Sequence, residues 1–286
     1  MSSSRKSAYA ALLITALIWG IAPPVIKYTL GFISPIGFLF YRFLLVSLIL
    51  IIPLGLRIKK IKPTKKQWPQ YLALGFLGTP LTLSLLFTGM AKATAIAGAV
   101  IWVIAPMLVI LGGAFWLKDH ITTKEKIGIA VVLTGTLITI CQPLFSAQAR
   151  LHQQILGNLL IFLGTIAWAS FTLLAKKANL DNFILLSSSF LVGTIILLPL
   201  FLSQSNLPPQ ALPGIIYMAI FGSVIAYGTY LYGHRQIEVS EAALFTYLQP
   251  LFGVPLAAVW LKEPIVLPFL VGAALIAAGA LIAEQR

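Results

Sequence analysis

The sequence predicts an all-α polytopic membrane protein with ten transmembrane helices arranged as two inverted five-helix repeats. Three observations carry that prediction. The first is composition: of 286 residues, 59% are hydrophobic and 9% charged, with a mean hydropathy of +0.97. A soluble domain carries about 25% charged residues, so this chain lacks the polar surface to face water on all sides. The second is a series of ten apolar stretches, each near the ~20 residues a helix needs to cross a ~30 Å hydrocarbon core. The third is an internal repeat. Residues 78–139 match 222–283 at a constant offset of 144 without a gap, pairing Gly78 with Gly222, Pro106 with Pro250 and Trp116-Leu117-Lys118-Asp119 with Trp260-Leu261-Lys262-Glu263. Trp19 and Lys27 pair with Trp168 and Lys176 at offset 149, and the offset changes only across loops, as a duplication with loop trimming produces. The halves divide as residues 1–146 and 147–286. Five spans per half is an odd number, so the second half enters the membrane in the opposite direction, an architecture whose substrate site lies near the midplane between halves.

The first span, 8–29, follows Arg5 and Lys6, and its apolar run is too long for the core of a cleaved signal peptide. Trp19, Pro23 and Lys27 share one helical face. The Pro23-Pro24 pair predicts a break or kink that frees carbonyls for other partners. The second span, 35–55, holds Arg42, the one charge well inside a span, ~10 Å from the outer boundary at ~1.5 Å per residue. A charge at that depth costs a few kcal/mol. Arg42 therefore reads either as a counter-ion for a substrate carboxylate or phosphate, or as a structural group that snorkels outward or ties to backbone carbonyls. Its repeat partner is Ser188, so the duplication does not require an arginine there.

Spans three and four, 69–91 and 95–117, bring Trp102 close to Pro106. Span five, 124–144, and span ten, 265–284, carry Gly128, Gly135, Gly272 and Gly279. Such small residues let helices approach closely, either to join the two halves or to form a homodimer contact. Spans six and seven, 156–178 and 182–202, place Trp168 as the counterpart of Trp19. In span eight, 212–233, Tyr227 and Tyr230 share a face while Tyr232 points elsewhere. Span nine, 241–261, holds Tyr247 and Gln249 beside Pro250. Buried Tyr and Gln groups need hydrogen-bond partners, which a wet cavity supplies. Trp19, Arg42, Trp102, Trp168, Tyr227, Tyr247 and Gln249 are the candidate substrate-binding residues.

The net charge of +13 is topological. With the N-terminus inside, fifteen Lys and Arg fall on the cytoplasmic side against four outside (Lys27, Lys92, Arg150 and Lys262), so the positive-inside rule puts both termini in the cytoplasm. The basic residues lie between apolar stretches, with no aromatic-interleaved face for nucleic acid. All seven acidic residues lie at or near span ends. The absence of a mid-membrane carboxylate counts against a pump for cationic drugs, and leaves Glu125 or Glu241 as the groups available for proton coupling. The single cysteine, Cys141, and three dispersed histidines form no ligand set, so no metal or cofactor is expected. No catalytic cluster argues for an enzyme, and no rings of like polar groups argue for a channel. The compact loops fit a bacterial inner membrane.

The order of these features, repeated twice, resembles the EamA family of the drug/metabolite transporter superfamily: an early Trp in the first span (Trp19, Trp168), a mid-span Pro in the fourth (Pro106, Pro250), a short turn (Trp116–Asp119, Trp260–Glu263) and a Gly-rich fifth span (Gly128, Gly135; Gly272, Gly279). The resemblance covers essentially the whole chain. Asp119 departs from the Glu usual in the turn. The resemblance implies a ten-helix carrier of small metabolites, amino acids among them. Helices one, three, four, six, eight and nine would line its central cavity. A nucleotide-sugar or phosphate-ester exchanger of the same superfamily is the alternative, and would call for more basic residues in the cavity.

Overall fold

The computed structural model describes residues 3–118, 120–145, 151–202, 207–237 and 245–284. Among them every regular element is helical. Eight helices are long and apolar enough to cross a membrane: α1 (Arg5–Thr29), α2 (Pro35–Ile61), α3 (Trp68–Lys92), α4 (Ala95–Trp116), α5 (Thr123–Leu144), α6 (Leu151–Ala178), α7 (Asn182–Leu202) and α8 (Pro209–Gly233). Two shorter apolar helices follow, α9 (Gln249–Trp260) and α10 (Leu267–Ala283). The chain is a polytopic membrane protein. The expected ninth span begins at 241, and residues 241–244 lie outside the described residues.

Local chemistry sets the helix ends. Ser34 accepts a hydrogen bond from the Gly37 N–H and Pro35 opens α2; Thr94 does the same for Ala97 at the start of α4. Thr122 and Glu125 form a reciprocal capping box on α5. Lys62, Lys118, Asn179 and Lys262 take left-handed backbone angles just past helix ends, where this conformation lets N–H groups turn back onto the last carbonyls.

The prolines behave differently from one another. Contrary to the expected break, α1 continues through Pro23-Pro24. Helix α9 crosses α1 one turn earlier almost backbone to backbone: a Cβ added at Gly20 would meet the Gln249 carbonyl oxygen at 2.6 Å. Two other prolines do sit beside interruptions. Helix α4 is interrupted at Val103-Ile104, two residues before Pro106, and a turn at Tyr247-Leu248 precedes Pro250. Helices α3 and α8 each contain a π-helical stretch, Leu77–Leu81 and Tyr217–Ile225.

Packing runs largely between the halves. Helix α1 lies against α8 and α9, α2 against α7, α3 and α4 against α6, and α5 against α10. The glycines of α5 and α10 face each other: a Cβ at Gly128 would come within 2.5 Å of the Gly279 carbonyl, and one at Gly135 within 2.6 Å of the Gly272 carbonyl. These stripes therefore join the last helix of the first half to the last helix of the second. Large apolar side chains such as Leu48, Ile52, Ile195, Val259 and Leu267 point outward, as lipid requires. The buried hydroxyls of Thr136, Thr139 and Thr165 return to carbonyls one turn back, which satisfies polar groups that lipid cannot.

Candidate functional site

Between the two halves the helices leave a cavity of about 350 Å3, within the roughly 300–1,000 Å3 of small-molecule sites. Six of the seven predicted residues line it: Trp19 from α1, Arg42 from α2, Trp102 from α4, Trp168 from α6, Tyr227 from α8 and Gln249 from α9. The π-helical stretch and the break at Val103-Ile104 shape the walls from which several of these project. Tyr247 does not line the cavity. It sits in the turn before α9 and packs on the apolar core, while its neighbour Thr246 reaches the wall.

The aromatic rings form a continuous band. Trp19 meets Tyr227 edge-on at 5.1 Å and Tyr230 at 5.3 Å; Trp168 lies 6.1 Å from Tyr227 and 5.9 Å from Trp102. The Trp19 Nε1–H donates to the Gly222 carbonyl at 3.0 Å, which pins that ring to the π-helical stretch of α8. Tyr230 was not among the predicted residues, although it shares a helical face with Tyr227 and that spacing pointed to it. Phe87 and Met90 of α3 also line the wall, and nothing in their sequence context separates them from packing residues.

Arg42 does not snorkel. It is 3% exposed. Its Nε–H donates to Ser223 Oγ at 3.1 Å, Ser223 Oγ donates to the Met218 carbonyl at 2.9 Å, and the guanidinium lies 5.6 Å from the Phe87 ring centre. Its Nη1 is buried without a hydrogen-bond partner.

The two ends of the cavity differ. Beside Met90 and Gly98, which line one end, lies a group of polar contacts. Lys27 Nζ donates to the carbonyls of Met90, Ala91 and Ala93 at 3.0, 3.3 and 2.5 Å. Both oxygens of Glu263 accept from the first N–H groups of α4, Ala95 at 2.8 Å and Ile96 at 2.9 Å. The cation thus faces a helix C-terminus and the carboxylate a helix N-terminus, as their dipoles favour. Burial pushes the Glu263 carboxyl above its usual range, against the pull of those two N–H groups and Lys27. Toward the opposite end the lining reaches Glu125 and Ala283. There Arg57 pairs with Asp181 at 2.5 Å and the Ser7 and Tyr232 hydroxyls lie 3.0 Å apart. Each contact joins groups that the span count places on the same membrane face.

The profile of the EamA-like transporter family matches residues 6–141 and again 155–284. The chain belongs to this family. Relatives include "Uncharacterized transporter YyaM" of Bacillus subtilis (strain 168), 29% identical over 96% of this chain and 93% of that protein. A "Probable terminal-alkyne amino-acid exporter" of Streptantibioticus cattleyicolor is 26% identical, again over 96% of this chain and 93% of the relative. A solved structure titled "Crystal structure of protein" superposes with a TM-score of 0.65 over 97% of this chain and 96% of that one; at 17% identity it supports the fold alone.

Proposed function

We propose that this EamA family member is a secondary transporter that exports small neutral or zwitterionic metabolites, amino acids foremost, by alternating access, with no catalytic step. The observation that carries the reading is the cavity itself. It draws its walls from both halves and is lined among the described residues by a band of Trp and Tyr with the amide of Gln249, the guanidinium of Arg42 and, toward one end, Glu125; contacts of Lys27 and Glu263 lie beside the other end. Aromatic walls favour an apolar or aromatic body, and Gln249 offers both a donor and an acceptor. The odd number of spans per half supports an inverted repeat in which one half rocks against the other, with Pro106 and Pro250 at the bending points. The related amino-acid exporter points to the same substrate class. The balance of Lys and Arg supports cytoplasmic termini in a bacterial inner membrane.

Uptake and counterflow in proteoliposomes with a panel of labelled amino acids test this. Saturable flux of at least one member, lost in Trp168→Ala and Gln249→Ala, is the expected result. Flux of phosphate esters or nucleotide sugars in place of amino acids would replace the substrate class, and no flux of any solute would remove the transporter reading.

A further inference from the structure

We infer that Arg42 is the specificity-determining residue of the cavity, and that it selects substrates bearing one free carboxylate. The inference rests on the transporter reading above and adds what the site recognises. A guanidinium taken out of water without a counter-charge is strongly destabilising. Among the described residues Arg42 is in that position: it is 3% exposed, its Nη1 has no hydrogen-bond partner, and its Nε–H donates to the neutral hydroxyl of Ser223. Two of the described carboxylates are engaged elsewhere, Asp181 with Arg57 and Glu263 with the start of α4. Glu125 reaches the cavity only near its far end, where it caps α5.

Packing does not explain the charge. By the internal repeat, the position matching Arg42 is Ser188 and the one matching Ser223 is Thr79. The corresponding helix pair, α3 and α7, is joined by a neutral hydrogen bond, Thr79 to Ser189 at 2.6 Å. The matching join between α2 and α8 uses an arginine whose Nη1 has no partner among the described residues. Ser223 holds Nε, which fixes the plane of the guanidinium, and Phe87 covers it. A carboxylate entering the cavity completes the missing pair. A phosphate dianion would need a second cation, and Lys27 is held by three carbonyls beside one end.

The test uses the full-length protein in nanodiscs and in proteoliposomes, with matched probes: L-phenylalanine, L-phenylalaninamide, 3-phenylpropionate, phenethylamine and phenyl phosphate. Binding is read from the tryptophan fluorescence of the cavity, and transport from inhibition of counterflow. Wild type is expected to bind the two carboxylates about ten-fold or more tightly than the amide and the amine. Arg42→Gln is expected to remove that preference, and Arg42→Lys to retain part of it. Should Arg42→Gln fail to fold, Ser223→Ala frees the guanidinium from its fixed plane and is expected to narrow the preference. Equal binding of acid and amide by wild type, or an unchanged preference in a folded Arg42→Gln or in Ser223→Ala, overturns the assignment while leaving the transporter reading intact. Tighter binding of phenyl phosphate overturns the carboxylate in favour of a phosphate ester. If no probe binds or competes while other amino acids are carried, the assignment falls alone; if nothing is carried, both fall.

Discussion

Trp168 touches three other rings, Trp102, Phe171 and Tyr227, yet is only half-buried because one face borders the cavity. Trp168→Ala should therefore cost transport more than stability: flux is expected to fall at least ten-fold, while the melting temperature in detergent drops less than after truncating a fully buried ring, which costs about 3–5 kcal/mol. Asp181 has a different job. It accepts from the N–H groups of Phe183 and Ile184 at 3.1 and 3.0 Å, which caps α7, and it pairs with Arg57. Burial acts to raise its carboxyl, but the Arg57 pair and those N–H groups outweigh burial and hold it below the ordinary aspartate range. A depressed carboxylate stabilises the fold above its unfolded-state value, and that contribution is lost as pH falls through the lowered one. The melting temperature of wild type should thus drop on acidification across this range. Asp181→Asn keeps an N-cap but flattens that part of the curve, and Asp181→Ala loses about 1–2 kcal/mol at neutral pH. Much of the cavity lining is legible in the sequence at this scale, because Trp, Arg and Gln deep in apolar stretches are expensive to place and stand out. Tyr247 lies outside that lining, in the turn before α9, and Phe87 and Met90 do not stand out because apolar lining looks like apolar packing.

At the scale of elements, glycine contacts between α5 and α10 decide how closely the last helices of the two halves pack. Gly135→Val should force those helices apart, since even a Cβ would overlap the Gly272 carbonyl. A loss of about 1–3 kcal/mol is expected, read as a lower melting temperature in detergent. Gly55 has nothing within 4 Å of an added Cβ, so Gly55→Ala should be neutral or slightly stabilising by about 0.5–1 kcal/mol. The helices were readable from hydropathy because a bilayer demands ~20 apolar residues at a time. The break expected at Pro23-Pro24 is not there, since α1 runs on through both prolines, whereas interruptions do lie beside Pro106 and Pro250. The π-helical stretches in α3 and α8 were not legible, since their apolar composition differs little from that of the α-helical turns beside them.

For the whole molecule, the account joins three features: a belt of apolar side chains facing lipid, a cavity between the halves, and a group of polar contacts beside one end. If Lys27 and Glu263 form the closed mouth of one state, transport requires that mouth to open. The measurement that tests this most directly is counterflow of labelled amino acids in proteoliposomes with a reversible lock across it. In a Cys141→Ser background, Ala95→Cys with Glu263→Cys would join the start of α4 to the α9–α10 turn, whose contact is now the Ala95 N–H to Glu263 hydrogen bond at 2.8 Å. The account predicts flux in the reduced protein, its loss on oxidation and its return on reduction. Flux that persists unchanged with the lock closed would contradict alternating access through this cavity.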